Sequence, residues 1–142
     1  MSATPIEGSL PIVEVVAAVI FDEAMESVLL ALRKPSQHQG DRWEFPGGKI
    51  EAGESHEQAL SRELKEELDI EPVESIGRCT IEHTYPEKTV RLHVRDVFEF
   101  RGDPDGLEHQ TLRWVPIPEL AGLPFPDANQ VIVEELVAGF TG

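Results

Sequence analysis

The stretch GKIEAGESHEQALSRELKEELDI, residues 48–70, carries the strongest structural signal in this chain. Ser55 is a good helix N-cap, and Gln58 three residues on completes a capping box, in which each side chain bonds the other residue's backbone N–H. Leu60, Leu64 and Leu68 then recur every fourth residue and give one apolar stripe. The spacing predicts a helix over residues 55–68. At about 100° per residue, Glu63, Glu66 and Glu67 share an arc of about 100° beside that stripe. Three carboxylates so close repel one another unless a cation sits among them. Hard oxygen ligands select Mg²⁺ or Mn²⁺. A cation held there suits phosphate chemistry, because a diphosphate bridge needs its charge neutralised before water can attack. The plain alternative is a solvated, glutamate-rich helix face. Against it stand Gly47-Gly48 upstream and Arg62 among the carboxylates, placed to orient them.

Composition narrows the function further. The chain has 142 residues, enough for one domain with one core, and a net charge of −15. That charge disfavours a nucleic acid polymer as partner, although cations can still bridge the protein to a nucleotide. Cys79 stands alone, so no intrachain disulfide can form and a reducing compartment fits. The first residues have neither a basic region nor a long apolar core, and no apolar run approaches membrane-spanning length. A cytoplasmic protein with no membrane partner is expected. No repeat or linker divides the chain, so residues 1–142 read as a single domain with a loose tail at 1–10.

Working outward, Ile12 to Phe21 is apolar and β-branched and reads as a buried strand, followed by a second at Val28 to Leu32. Arg33 to Arg42 is a polar loop. Trp43-Glu44-Phe45-Pro46 leads into Gly47-Gly48, where backbone can bend or approach a ligand. Arg78 to His83 is a short strand. Val90, Leu92, Val94, Asp96, Phe98 and Phe100 share one face of another at period two. Thr111 to Val115 is a further strand, ended by Pro116 and Pro118. Glu119 to Asp127, rich in proline, reads as loop, and Asn129 to Ala138 as a closing helix. A mixed sheet results, with one helix before its middle and another at the end.

The 48–70 stretch resembles the Nudix box. Gly48, Glu54, Arg62, Glu63, Leu64, Glu66, Glu67 and Ile70 fall on its pattern, and Asp69 stands where the family has Gly. That Gly ends the helix in a left-handed conformation, which Asp tolerates better than most residues, so the metal site should remain intact. From about residue 12 to 137 the chain is similar to the MutT-like branch. Trp43 to Ile50 resembles the segment before the box, Leu107 to Gln110 the loop with an additional acidic residue, and Phe125 to Asn129 the start of the last helix.

This resemblance implies an α/β (α+β) fold, the Nudix α/β/α sandwich with a mixed central sheet. It implies a Mg²⁺-dependent hydrolase, with Mn²⁺ as a possible substitute, that converts 8-oxo-dGTP to 8-oxo-dGMP and pyrophosphate and so protects the nucleotide pool. Glu63, Glu66, Glu67 and Glu108 would be catalytic and, with the Gly48 carbonyl, would bind metal; Glu63 and Glu108 are the candidates for general base. Arg33 would meet phosphate, Tyr85 would lie near the base, and Lys88 stands where the branch has Arg. Lys lacks the planar guanidinium that stacks on a base. Asn129 would read the base, since its amide both donates and accepts.

Other readings of these residues stay open. Trp43 and Phe45 can be core residues, Glu108 a solvated charge, Arg33 a surface ion pair and Asn129 a helix cap. The rival substrate is (d)CTP or 5-methyl-dCTP. A reading of another class is a nucleotide-sensing module without turnover, which the retained carboxylates disfavour. A monomer is expected, with a dimer as the alternative.

Overall fold

Strand β1 (Ile12–Ile20) runs parallel to β7 (Thr89–Val97) on one side and antiparallel to β4 (Gly47–Lys49) on the other. The computed structural model describes residues 10–37 and 40–140; the tail expected at 1–10 lies outside these except for Leu10. β6 (Ile76–Thr84) pairs antiparallel with the far edge of β7, which gives the order β4-β1-β7-β6. A second sheet, β3-β2-β9, joins β2 (Ser27–Leu32) to β3 (Trp43–Glu44) and β9 (Leu112–Pro116). β5 (Glu71–Pro72) and β8 (Phe100–Arg101) form a small ladder. The helices are α1 (His56–Leu68) and α2 (Asp127–Gly139). Among the described residues, no helix is long and apolar enough to cross a membrane.

The layering explains why β1 reads as continuously apolar. Ala17 and Val19 enter a core shared with Ala128, Ile132, Val133 and Leu136 of α2. Val16, Ala18 and Ile20 enter the opposite core, shared with Ala59, Leu60, Leu64 and Leu68 of α1. Both faces of the strand are covered, so alternation with polar residues is lost. Burying each leucine fully contributes about 1.5–3 kcal/mol, so the apolar stripe fixes which side of α1 faces the sheet. The expected mixed α/β/α sandwich is what forms.

Local chemistry sets the ends of α1. The Ser55 hydroxyl accepts the Gln58 N–H at 3.1 Å while Gln58 Oε1 accepts the Ser55 N–H at 2.9 Å, so the capping box is present. Asp69 ends the helix at φ 56°, ψ 36°, in the left-handed conformation expected where the family has Gly.

Several elements depart from the sequence expectation: β3, β4 and β5 form where no strand was expected, and two further stretches differ in kind or extent. The strand expected to reach Phe100 stops at Val97; the chain bends, Phe98 stacks on Phe21 at 5.1 Å, and Phe100 begins β8. Period-two spacing cannot register such a bend, because the apolar residues beyond it keep the same spacing. The stretch read as loop from Glu119 contains most of a 3-10 helix, Ile117–Gly122, with Leu120 fully buried. Pro118 lies in its first turn, where a missing N–H costs nothing.

Candidate active site

Arg62 organises the acidic face of α1. Its Nε and Nη2 donate to the two Glu54 oxygens at 2.7 and 2.8 Å, and Nη2 also reaches the Lys49 carbonyl at 3.0 Å. Nη1 donates to Glu63 at 2.9 Å and to Glu66 at 3.3 Å. A planar fork can tie a loop to a helix in this way; a lysine ammonium could not match the two-oxygen geometry. The Arg62 hydrogen bonds and the Glu51 N–H hold the Glu54 carboxyl down to about 2. Arg62 thus has the orienting place that the sequence suggested.

Gly47 and Gly48 pair with Ala17 and Val16 in the β1–β4 ladder, directly below α1. A Cβ on Gly48 would collide with the Glu63 carboxylate, and one on Gly47 with the Val16 carbonyl. Glycine is therefore needed at both places for close approach. At one it admits a side chain, and at the other a neighbouring backbone.

Glu67 is only 7 % exposed. Burial pushes its carboxyl up to about 8, with the Glu44 and Glu108 carboxylates adding to the effect and the Gly47 N–H partly offsetting it. Burial likewise raises Glu63, against the pull of Arg62, and raises Glu44, against the pull of Arg33. Glu44 pairs with Arg33 Nη1. It was not among the residues expected from sequence. Period-two alternation gave no signal for it, because side chains next to each other on a strand point to opposite faces and apolar neighbours at 43 and 45 do not predict where Glu44 lies.

These groups line a cavity of about 330 Å³. Arg33, Gly48, Glu63, Glu67, Tyr85, Lys88, Glu108 and Asn129 all line it, as does Glu44. Glu66 does not: its carboxylate is exposed and turned to Arg62. Of the alternatives left open, Arg33 is indeed in an ion pair, but inside the cavity. Phe45 is a core residue, stacked on Phe125 at 5.9 Å, and also lines the cavity.

Asn129 does not cap α2. Pro126 occupies the cap position without a side-chain bond, which makes Asn129 the third residue of the helix. Its Oδ1 instead accepts the Phe45 N–H at 3.2 Å, across 84 positions of chain. Beside it the Tyr85 hydroxyl accepts the Ala128 N–H at 3.3 Å, and the Tyr85 ring meets His83 edge-on at 4.6 Å.

Among the described residues, no three histidine, cysteine or acidic side chains are already grouped as a metal cage. The donor set nevertheless fits a hard divalent cation. Glu67 is a buried carboxylate whose charged form is disfavoured by burial and by other carboxylates, an arrangement that a cation would relieve. Glu63 adjoins it, and the two donate only oxygen.

The comparisons with known proteins agree on the family and differ in the substrate for which the relatives are named. The family profile described as NUDIX domain matches residues 16–135. A CTP pyrophosphohydrolase of Escherichia coli is 37 % identical over 131 residues, which is 91 % of this chain and 94 % of that protein. An 8-oxo-dGTP diphosphatase of the same organism is 33 % identical over 123 residues, covering 87 % and 95 %. A solved MutT structure, from work on Aliivibrio salmonicida and Vibrio cholerae, superposes with a TM-score of 0.80 at 36 % identity, covering 91 % of this chain and 99 % of that one.

Proposed function

The chain belongs to the Nudix hydrolase family, and from that membership we propose that it hydrolyses 8-oxo-dGTP to 8-oxo-dGMP and pyrophosphate. The observation that carries this choice is the Asn129 amide. A backbone N–H can only donate, so the Phe45 N–H fixes which end of the amide is oxygen. One lone pair of Oδ1 and both N–H donors remain for a ligand. Oxidation at C8 turns purine N7 from an acceptor into a donor beside the O6 acceptor. An amide with a fixed orientation complements that donor–acceptor pair and mismatches guanine at N7. A site built to pair a ligand group rejects the analogue lacking it.

A Mg²⁺ or Mn²⁺ cofactor, held by Glu63, Glu67, Glu108 and the Gly48 carbonyl, would neutralise the charge of the triphosphate, and Glu66 would join them only by turning from Arg62. Arg62 keeps Glu63 oriented for its part. Arg33 supplies a cationic contact to the phosphates, and Tyr85 and Lys88 flank the base. Glu63 or Glu108 takes a proton from the attacking water. The water oxygen bonds to phosphorus, the bridging P–O bond breaks, and pyrophosphate leaves with the electron pair. Positioning and charge stabilisation are the main catalytic contributions in such displacements. The same reading makes the protein a cytoplasmic, monomeric enzyme of the nucleotide pool.

A second substrate reading has its own support. The 37 % identical relative is named for CTP, and Lys88 stands where an Arg would favour a purine. Initial rates on equal concentrations of 8-oxo-dGTP, dGTP, dCTP and 5-methyl-dCTP with Mg²⁺ decide between them. A large preference for 8-oxo-dGTP over dGTP, with monophosphate and pyrophosphate released, is expected. Preference for the cytosine nucleotides would keep the chemistry and overturn the substrate.

A further inference from the structure

The last turn of a helix leaves carbonyls without partners inside the helix. In α1 those of Glu67 and Leu68 are taken by the loop that carries Glu108. Leu107 N–H donates to the Glu67 carbonyl at 3.1 Å, and Asp105 N–H to the Leu68 carbonyl at 2.9 Å. Gln110 adds a side-chain link. Its Nε2 lies 3.3 Å from the same Glu67 carbonyl and 3.5 Å from the Glu67 carboxylate, while its Oε1 accepts the Glu108 N–H at 3.0 Å.

We propose that Gln110 is a positioning residue, a clamp that fixes the Glu108 backbone relative to Glu67 so that the two carboxylates serve one cation. The inference rests on the proposed roles of Glu67 and Glu108 and adds the residue that sets their spacing. An amide suits the task because it donates to one partner and accepts from the other at once. Glu108 itself is exposed and extends from a loop, so without the clamp its carboxylate would be free to swing away. Loop side chains hold a geometry only when such bonds restrict them.

The clamp can be tested with Gln110→Met, which keeps length and bulk but removes the amide's three hydrogen bonds, and with Gln110→Ala. Amide hydrogen exchange at Leu107 and Glu108 is read in metal-free protein, and Mn²⁺ binding by paramagnetic resonance. Both variants should exchange faster at Glu108 and bind Mn²⁺ about 10-fold more weakly, the scale on which partners of metal ligands act. Turnover should fall with KM for the nucleotide nearly unchanged, and the melting midpoint should hold. If Gln110→Met matches wild type in exchange and Mn²⁺ affinity, the side chain only fills space and the proposal is overturned. Should wild type itself bind no Mn²⁺, the metal-site reading fails, and the exchange comparison still decides the clamp.

Discussion

Replacing Glu67 by Gln should stabilise the metal-free protein at high pH and leave it unchanged at low pH. The Glu67 carboxyl is pushed up to about 8 in the fold from 4.5. Below 4.5 it is protonated in both folded and unfolded chains and contributes no pH dependence. Between 4.5 and about 8 the folded state keeps a proton that the unfolded state releases. Folding stability therefore falls as pH rises through that window, by about 1.4 kcal/mol per pH unit. The gap between 4.5 and about 8 sets a ceiling of roughly 5 kcal/mol, and relaxation around the charged group leaves about 2–4 kcal/mol. Gln does not titrate, so the variant escapes the loss. Urea unfolding of both proteins with chelator, near pH 5 and near pH 9, measures it. The variant should gain on wild type only at the higher pH. Excess Mg²⁺ should then reverse the order, because ligand binding to the folded state stabilises wild type and the variant has lost a ligand. A stability gap that is the same at both pH values would refute the assignment of a buried, repelled carboxylate at Glu67. Activity supplies a further check: Glu67→Gln and Glu63→Gln should each lower turnover at least ~10²-fold, and near wild-type turnover in both would sink the site.

Three further outcomes follow from local geometry. Gly48→Ala should keep its fold and lose most activity, since the new Cβ meets the movable Glu63 carboxylate; Gly47→Ala should unfold more readily, since its Cβ meets the Val16 carbonyl, and melting curves of the pair that do not differ would count against this. Asn129→Ala should cost 8-oxo-dGTP hydrolysis far more than dCTP hydrolysis, so equal losses in kcat/KM would remove the base-reading role. Asp69→Gly should stabilise by up to ~1 kcal/mol because Gly favours the left-handed cap, with the exposed Lys65–Asp69 pair lost at little cost; severalfold higher turnover would show that Asp69 disturbs the site.

Much of the molecule is written in local sequence. The capping box at Ser55, the stripe Leu60–Leu64–Leu68 and the left-handed stop at Asp69 depend on residues within a few positions of each other, so spacing alone specifies them. The acidic face follows from the same helix, because helical period fixes which side chains are neighbours. What spacing could not supply was how that face divides. Glu67 turns into the cavity and Glu66 out to Arg62, which depends on where α1 rests against β1 and β4. The bend after Val97 and the buried Leu120 were likewise hidden, since both answer to packing partners far away in the chain.

The sequence by itself determined the elements and the reactive helix, through periodicity, capping and the spacing of its carboxylates, while the sandwich fold was what its resemblance to the Nudix family implied. Tertiary structure decided the rest of the site. It brought Glu44 into the cavity, turned the Asn129 oxygen to the Phe45 N–H, and closed the free carbonyls of α1 with the Glu108 loop. Each of these joins residues tens of positions apart. Such contacts form only when the sheet and both cores have set the distance between their elements, and short-range spacing carries no record of that distance.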